Sequence, residues 1–586
     1  MEKIDYYYIT SIQEGLEALK SLEASKYLYL DTEVAVKSLK EIDFFSDKVR
    51  LIQIGNEESI FVFDMYKIPE ISSYLKSLLE KKGIIGHNLK FDIKFLKTNF
   101  NIFPKVVFDT MIASQVLSEG EDERHSLAAL TYRLTDYHID KSQQASAWGM
   151  ENLTKEQLDY SANDVKVLRD LFSILKDKIN SIPTPHKATG KIREVFGIEN
   201  AVIAVEMAFL PEVALMELVG MPVDREILNR RLEEAQKEYQ REYIEFVRAY
   251  GVDPFSPQQI TKWLTRLGLE LPKTQKGSLS SQDSALRKYI HMAQIKKLIK
   301  IRTDKKIIDK LKELQKYERN GRIYSTFKQI GAPTGRMASM HPNLQNIPHE
   351  LRDLFRASKG RKLIIADYSQ IELRIAAEYV NDETMISAFQ EGKDLHKFTA
   401  SLLTGKSYED ISKEERQLAK AINFGLIYGI SPRSLMEYAK NNYGIEISLK
   451  EAQEFHQKFF EVYTGFKNWH EKVKDDLKKY HKITVITLLG RRIKVKRFTD
   501  AVNYPIQGTG SDLLKMAVAM FGKLKGDLDA YVVNLVHDEI IVEAKEDIAD
   551  NIKNVLSASM EKAGKILLKK VPIAFDIQIA ESWAEK

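Results

Sequence analysis

The sequence predicts a multidomain α/β and α+β protein, and three observations carry that prediction. At 586 residues the chain is too long for one hydrophobic core, so two or more domains are expected. Over residues 1–180, apolar β-rich segments alternate with segments of helical spacing, the pattern of an α/β domain with a mixed sheet. From 199 to about 320 the chain turns helical and charged, and beyond it strands mix with long helices.

Each element has a local cause. "KYLYLDTE" (26–33) and "VRLIQIG" (49–55) are apolar and β-rich, whereas "EISSYLKSLLEKKG" (70–83) has helical spacing and stops at a glycine. "INSIPTPHKATGK" (179–191) breaks the pattern with Pro, Ser and Gly and reads as a linker. "REILNRRLEEAQKEYQREYIEFVRAYG" (225–251) is a long amphipathic helix, and "IKKLIKIRTDKKIIDKLKELQK" (295–316) is another with a lysine excess. A solvated helix face is the ordinary meaning of such a run, and phosphate contact is the sharper one. "YVVNLVHDEIIVEA" (531–544) reads as two strands joined by an acidic turn.

Composition excludes several chemistries. No cysteine is present, so disulfides, thiolate zinc sites and a catalytic thiol are ruled out, and any metal must sit on oxygen or histidine ligands. Lys+Arg of 88 against Asp+Glu of 83 gives only +5, which still allows basic charge to concentrate along one groove. "MEKIDYYYIT" lacks a signal-peptide layout, and no run of about 18 apolar residues could span a bilayer. A cytoplasmic protein is expected, or an organellar-matrix one if the chain is a processed eukaryotic form.

Two sets of carboxylates stand out. In the first, Asp31 and Glu33 sit two apart at the end of a strand and share a face. Asp92 follows an apolar strand in "IIGHNLKFDIKFL", and Tyr160 and Asp164 share one helix face in "LDYSANDVKVL". Each motif alone is common, since a strand-end Asp is usually a helix cap. Together they supply an oxygen-ligand site for two divalent ions, which can activate water and stabilise the leaving oxygen of a phosphodiester. In the second set, "KLIIADYSQIELRIAAEY" (362–379) ends a strand at Asp367, and "VHDE" (536–539) carries Asp538. "RQLAKAINFGLIYG" (416–429) places Arg416, Lys420, Phe424 and Tyr428 four apart. Two cations leading into two aromatics match a nucleotide, triphosphate at one end and base and sugar at the other.

The first set resembles the Tyr-containing DEDD 3′–5′ exonucleases over roughly residues 1–180. That resemblance implies an RNase H-like fold, with Asp31, Glu33, Asp92 and Asp164 on metals and Tyr160 orienting the attacking water; Asn88 matches a family Asn. The second set looks like motifs A, B and C of the family A DNA polymerases. "GAPTGRMASMHPNLQNIP" (331–348), "KDLHKFTA" (393–400), "TLLGRR" (487–492), "NYPIQGTGSDLLK" (503–515) and the terminal "ESW" resemble further blocks of that family, in its order. The whole is Klenow-like, with no 5′-nuclease domain expected ahead of it.

The resemblance implies a nuclease domain over 1–185 and a right-hand polymerase domain over 186–586. Its thumb would span about 225–330, its palm about 331–395 and 484–586, and its fingers about 396–483. By the same resemblance Asp367 and Asp538 hold two Mg²⁺ ions, with Mn²⁺ able to substitute, and Tyr368 adds a backbone carbonyl. Arg416, Lys420 and His396 would take the incoming phosphates, with Lys420 also catalytic. Phe424, Tyr428 and Gln370 would bound the nucleotide pocket. Glu372 occupies the steric-gate position against a ribose 2′-hydroxyl. Arg336, Asn343, Gln345, Asn503, Gln507 and His537 match residues that contact template or primer, partly through the minor groove, where acceptors check pair shape rather than sequence. The implied partners are primer–template DNA and dNTPs, with no membrane and a monomeric chain. The role of Glu539 stays open.

Two departures from the family pattern bear on this. The link "IKVKRFTDAV" (493–502) is short and places Thr499 where the family has an Arg, leaving Arg497 or Lys496 as substitutes. The turn after Glu33, "DTEVAVKSLKEIDFFSDK" (31–48), is long and carries no functional reading. Two other classes compete: a nuclease with an inert nucleic-acid-binding module, and a single-subunit RNA polymerase. The intact Asp367, Lys420 and Asp538 oppose the first, and Glu372 with the nuclease domain opposes the second.

Overall fold

The computed structural model of the chain describes residues 5–37, 42–143, 146–273 and 277–586. By contacts it divides into two compact units, one of residues 1–219, 327–339 and 364–579, the other of 220–326, 340–363 and 580–586.

The first unit opens with a six-stranded mixed sheet. Its strands are β1 (Tyr7–Ile9), β2 (Tyr27–Ala35), β3 (Lys48–Gly55), β4 (Ile60–Asp64), β5 (Gly83–Gly86) and β6 (Val107–Asp109). The order is β1–β4–β3–β2–β5–β6, with β3 antiparallel to both β2 and β4, β1 parallel to β4, and β5 parallel to both β2 and β6. Leu28, Leu30, Ile52, Ile54, Val62 and Ile84 are fully buried, so the sheet is covered on both faces, as the near-continuous apolar runs require.

Helix α1 (Leu89–Phe100) follows β5 through Asn88, which takes the left-handed φ of 57° that turns strand into helix. Helix α2 (Lys155–Asn180) starts at a reciprocal Thr154–Gln157 capping box and crosses the sheet. Its Phe172 packs edge-on against Phe108 at 5.0 Å; burying such a ring contributes about 1.5–3 kcal/mol. Gly55 allows the close approach of α2, because a Cβ there would stand 2.8 Å from Val165 Cγ1. Of the long turn after Glu33, residues 38–41 lie outside the described residues. Phe44 anchors its far end, 4.6 Å from Phe95 and 3.6 Å beneath Lys94 Nζ.

Helix α3 (Ala201–Val219) is apolar nearly all round and carries two buried glutamates. Helix α4 (Lys413–Ile427) is the predicted cation–aromatic helix, and α5 (Phe498–Lys525) is the longest helix of the unit. The remaining strands used below are β7 (Arg361–Tyr368), β8 (Ile483–Ile486), β9 (Arg492–Val495), β10 (Ala530–Val536), β11 (Glu539–Lys545) and β12 (Phe575–Ala580). They form a sheet ordered β10–β11–β7–β12 and a separate β8–β9 hairpin.

A buried charge network fixes α3 to this region. Glu206 accepts from Lys515 Nζ (2.6 Å), Gln329 Nε2 (2.6 Å) and Arg491, which also donates through Nε to Asp512 (2.8 Å). Burial alone would raise the Glu206 carboxyl; Lys515 and Arg491 overcome it and hold the group below its ordinary range. Removing one partner of such a network costs about 3–5 kcal/mol, because the others stay buried and charged. A second tie is half-buried: Glu119 and Glu121, from the loop after the helix Thr110–Leu117, hold Arg492 and Lys494 of β9 and Lys482, the residue before β8.

The second unit is built on the helices Arg225–Tyr250 and Ala293–Tyr317. The lysine-rich helix buries Ile295, Leu298, Ile301, Ile308, Leu311 and Leu314. Its lysines are largely committed inside the protein: Lys297 to Glu245 (2.8 Å), Lys300 to Glu242 (2.8 Å) and Lys306 to Asp283 (2.9 Å). The lysine excess therefore first balances the acidic face of its partner helix. Trp583, from the terminal "ESW", is fully buried against Phe355.

Candidate functional site

Two sites take shape in the first unit. At the nuclease-like site, β2 presents Asp31 and Glu33 toward α2, which presents Tyr160 and Asp164. Among the described residues Asp31, Glu33 and Asp164 form a group whose ligand oxygens all lie within 4.8 Å of one another. Asp164 Oδ1 is buried without a hydrogen-bond partner among the described residues, as suits an atom that would bind a cation. Burial first, and then the neighbouring carboxylates, raise Asp31 and Glu33 well above the usual carboxylate range. Asp92 lies on α1, and its Oδ1 accepts from Thr32 Oγ1 at 2.6 Å; burial lifts it to about 7. It thus stands outside the close group of three.

Lys141 is the residue that the motifs did not reveal. Its Nζ reaches Tyr160 Oη at 3.3 Å and Asp164 Oδ2 at 3.4 Å, and it counters the raised carboxyls of Asp31, Glu33 and Asp164. A lone lysine in the polar loop "HIDKS" carries no sequence signal, and only the fold brings it onto the acids. Other strand-end aspartates take structural roles. Asp109 caps the helix Thr110–Leu117 and also accepts from Leu89 N at 2.8 Å, while Asp64 pairs with Arg50 at 2.9 Å.

At the second site, β10 and β11 meet in a two-residue turn, Val536 opposite Glu539, with His537 at a left-handed φ of 56°. Asp367 is the next-to-last residue of β7, and the residue that ends the strand ties the two acidic positions together: Tyr368 N–H donates to Asp538 O at 3.4 Å. The Tyr368 ring is buried and its hydroxyl donates to Met560 O at 3.0 Å, so that side chain is structural. A cavity of about 210 Å³ is lined by Arg336, Gln370, Glu372, Phe424, His537 and Asp538, together with Ile371, Leu373, Gly510 and Ser511. Six residues from the sequence-predicted set therefore share one cleft.

Several of these side chains hold one another. Glu372 accepts from both Arg336 and Tyr428. Burial, and then Glu372, raise the Tyr428 hydroxyl, which keeps it a donor. Arg416 forks onto Asp394 Oδ2 through Nη2 (2.6 Å) and Nε (3.1 Å), and Lys420 lies one turn further along α4. His396 is buried, its Nδ1 lies 3.1 Å from Asn423 Nδ2, and burial pulls its pKa down to about 4, so the ring is neutral near pH 7. Asn503 and Gln507 lie one turn apart on α5, and Asn503 Oδ1 is buried without a hydrogen-bond partner among the described residues. Thr499 sits in the first turn of α5; Arg497 is spent on a two-pronged pair with Asp500 (2.7 and 2.9 Å). Asn343 and Gln345 belong to the second unit, where the Asn343 side chain accepts from Gln345 N.

Comparisons with known proteins identify the family of the chain. Residues 225–585 match the model of DNA polymerase family A, and residues 6–180 match that of a 3′–5′ exonuclease. The chain belongs to the family A DNA polymerases and combines a DNA-directed DNA polymerase with a 3′–5′ exonuclease domain. It is 49% identical to DNA polymerase I of Aquifex aeolicus, over 99% of this chain and 100% of that protein. It is 30% identical to DNA polymerase I of Pseudomonas aeruginosa, over 100% of this chain but 66% of the longer relative. Among solved structures, the POL domain of Pol1 from M. smegmatis, in complex with DNA primer-template and dNTP, superposes with a TM-score of 0.81 at 23% identity, covering 98% of this chain and 99% of that one. Among the described residues no helix is long and apolar enough to cross a membrane.

Proposed function

We propose that the chain extends a primer 3′ end with dNTPs on a DNA template and removes mispaired ends at a separate site, in DNA replication or repair. The observation that supports this most is the Tyr368–Asp538 backbone bond, which ties the residue after Asp367 to the acidic turn, while Asp538 lines a cleft with Glu372, Arg336 and Phe424. The nuclease is assigned to 1–185 and the polymerase to 186–586, with thumb, palm and fingers as the family resemblance divides them. Mg²⁺ is the proposed ion at both sites, with Mn²⁺ as a substitute. Asp367, Asp538 and the Tyr368 carbonyl would hold it at one, and Asp31, Glu33, Asp92 and Asp164 at the other. Divalent ions bound there would sharpen the attacking oxygen and stabilise the departing one.

The protein's own side chains supply the rest. Arg416 exchanges Asp394 for a triphosphate oxygen, and Lys420 and His396 complete the phosphate contacts. Phe424, Tyr428 and Gln370 bound the base and sugar, and Glu372, braced by Arg336 and Tyr428, fills the space a 2′-hydroxyl would need. Asn343, Gln345, Asn503, Gln507, His537 and Arg336 face primer and template. At the nuclease site Lys141 holds the Tyr160 hydroxyl, and Tyr160 orients the attacking water. The chain acts as a monomer in the cytoplasm.

A matched and a mismatched 3′-end-labelled primer, each with and without dNTPs in Mg²⁺, tests both activities together. Extension of the matched primer and shortening of the mismatched one are expected. No dNTP incorporation would end the polymerase reading, and preferential rNTP incorporation would replace it with an RNA polymerase.

A further inference from the structure

The β3 strand "VRLIQIG" has two polar side chains among its buried apolar ones: Arg50, which pairs with Asp64, and Gln53, which no motif claims. In the antiparallel β2–β3 pair Gln53 lies directly opposite Asp31, with Gly55 opposite Tyr29 and Leu51 opposite Glu33. Opposed residues project from the same face of a sheet. That face is the one covered by α2: a Cβ on Gly55 would meet Val165, and the Tyr29 ring lies 6.5 Å from Phe172, two helical turns beyond Val165. Gln53 therefore stands beside Asp31, under the turn of α2 that carries Asp164.

The side chain is 0% exposed, and both its Oε1 and its Nε2 are buried without a hydrogen-bond partner among the described residues. A buried amide left unsatisfied costs about 1–3 kcal/mol per group, whereas Met or Leu would fill the same space without that penalty. Asp164 Oδ1, on the same face, is likewise unpartnered. Carboxylates that bind metal are ordinarily oriented by hydrogen bonds from a second rank of residues, and here an amide donor is already buried beside them.

We propose that Gln53 is a positioning residue of the exonuclease site, whose amide N–H groups dock onto the Asp31 or Asp164 carboxylate when divalent cations draw the acids together. The inference rests on the metal-site reading above. A neutral donor suits the place: it fixes a carboxylate without neutralising it, which a lysine at that position would do.

The test uses the full chain carrying Asp538→Ala, which removes the competing polymerase ligand, and titrates it with Mn²⁺ by calorimetry well below the melting temperature. Gln53→Met should lower Mn²⁺ affinity about tenfold. The melting temperature without metal should stay unchanged or rise. Gln53→Leu repeats the measurement should Met pack poorly. In the chain with an intact polymerase site, the Mg²⁺ concentration for half-maximal shortening of a mismatched primer should rise by a similar factor, while primer extension is unchanged. Unaltered Mn²⁺ affinity in folded Gln53→Met and Gln53→Leu overturns the proposal. Asp164→Ala separates the two readings: if it also leaves Mn²⁺ binding intact, the metal site itself is misassigned.

Discussion

The two acidic sites solve opposite electrostatic problems. The nuclease site gathers like charges: three carboxylates within 4.8 Å, with Lys141 as the cation beside them. Burial first, and then a mutual repulsion of about 4 kcal/mol for like charges about 4 Å apart, raises the carboxyls of Asp31 and Glu33, and a cation bound there would offset both. The polymerase cleft instead pairs its charges internally. Arg416 sits on Asp394, and Arg336 and Tyr428 sit on Glu372. A ligand entering the first site relieves repulsion, whereas one entering the second must exchange partners. In the function proposed above, the first site would hold ions and act on whatever end arrives, and the second would discriminate, because a wrong nucleotide would fail to repay the bonds it breaks.

The comparison breaks if the sites are not separable. Asp538→Ala should lower dNTP incorporation by about 10³-fold while leaving shortening of a mismatched 3′ end intact, measured on one labelled primer. Asp31→Ala should do the reverse by a comparable factor, and unchanged degradation would remove the nuclease assignment. A smaller effect sharpens the charge argument: Lys141→Met should slow the exonuclease about 10–100-fold without touching extension, because Tyr160 and Asp164 lose their shared cation. If single-turnover degradation kept its rate, Lys141 would be a mere counter-ion. Smaller still, Glu372→Ala should raise rNTP incorporation relative to dNTP about tenfold, read from competitive primer extension. Unchanged sugar discrimination would mean that the Arg336–Glu372–Tyr428 group only braces the cleft.

Much of the site was legible because its residues sit at fixed intervals on regular elements. Asp31 and Glu33 alternate on a strand, Tyr160 and Asp164 share a helix face, and the α4 residues recur every four. The acidic turn of "LVHDEIIV" was legible as a hairpin for the same reason, and Val536 opposite Glu539 is that hairpin. The lysine-rich helix shows where interval alone misleads. Its charge pattern fits phosphate binding as well as it fits pairing with an acidic neighbour, and the glutamates of Arg225–Tyr250 take Lys297 and Lys300.

By itself, the sequence determined the α/β and α+β elements, the absence of thiol chemistry, and both sets of acids, because periodicity and residue type are local properties of the chain. It could not separate Asp31 and Asp367 from Asp64 and Asp109, since each of the four follows an apolar, β-rich run. Tertiary structure decided that: Asp64 meets Arg50, Asp109 meets the backbone N–H groups of two helix starts, Asp31 meets two more carboxylates, and the residue after Asp367 bonds to Asp538. Lys141 and Gln53 became visible in the same way. A pKa, a buried unpaired amide or a shared cation depends on which groups approach within a few ångströms, and strand pairing and helix packing set those distances.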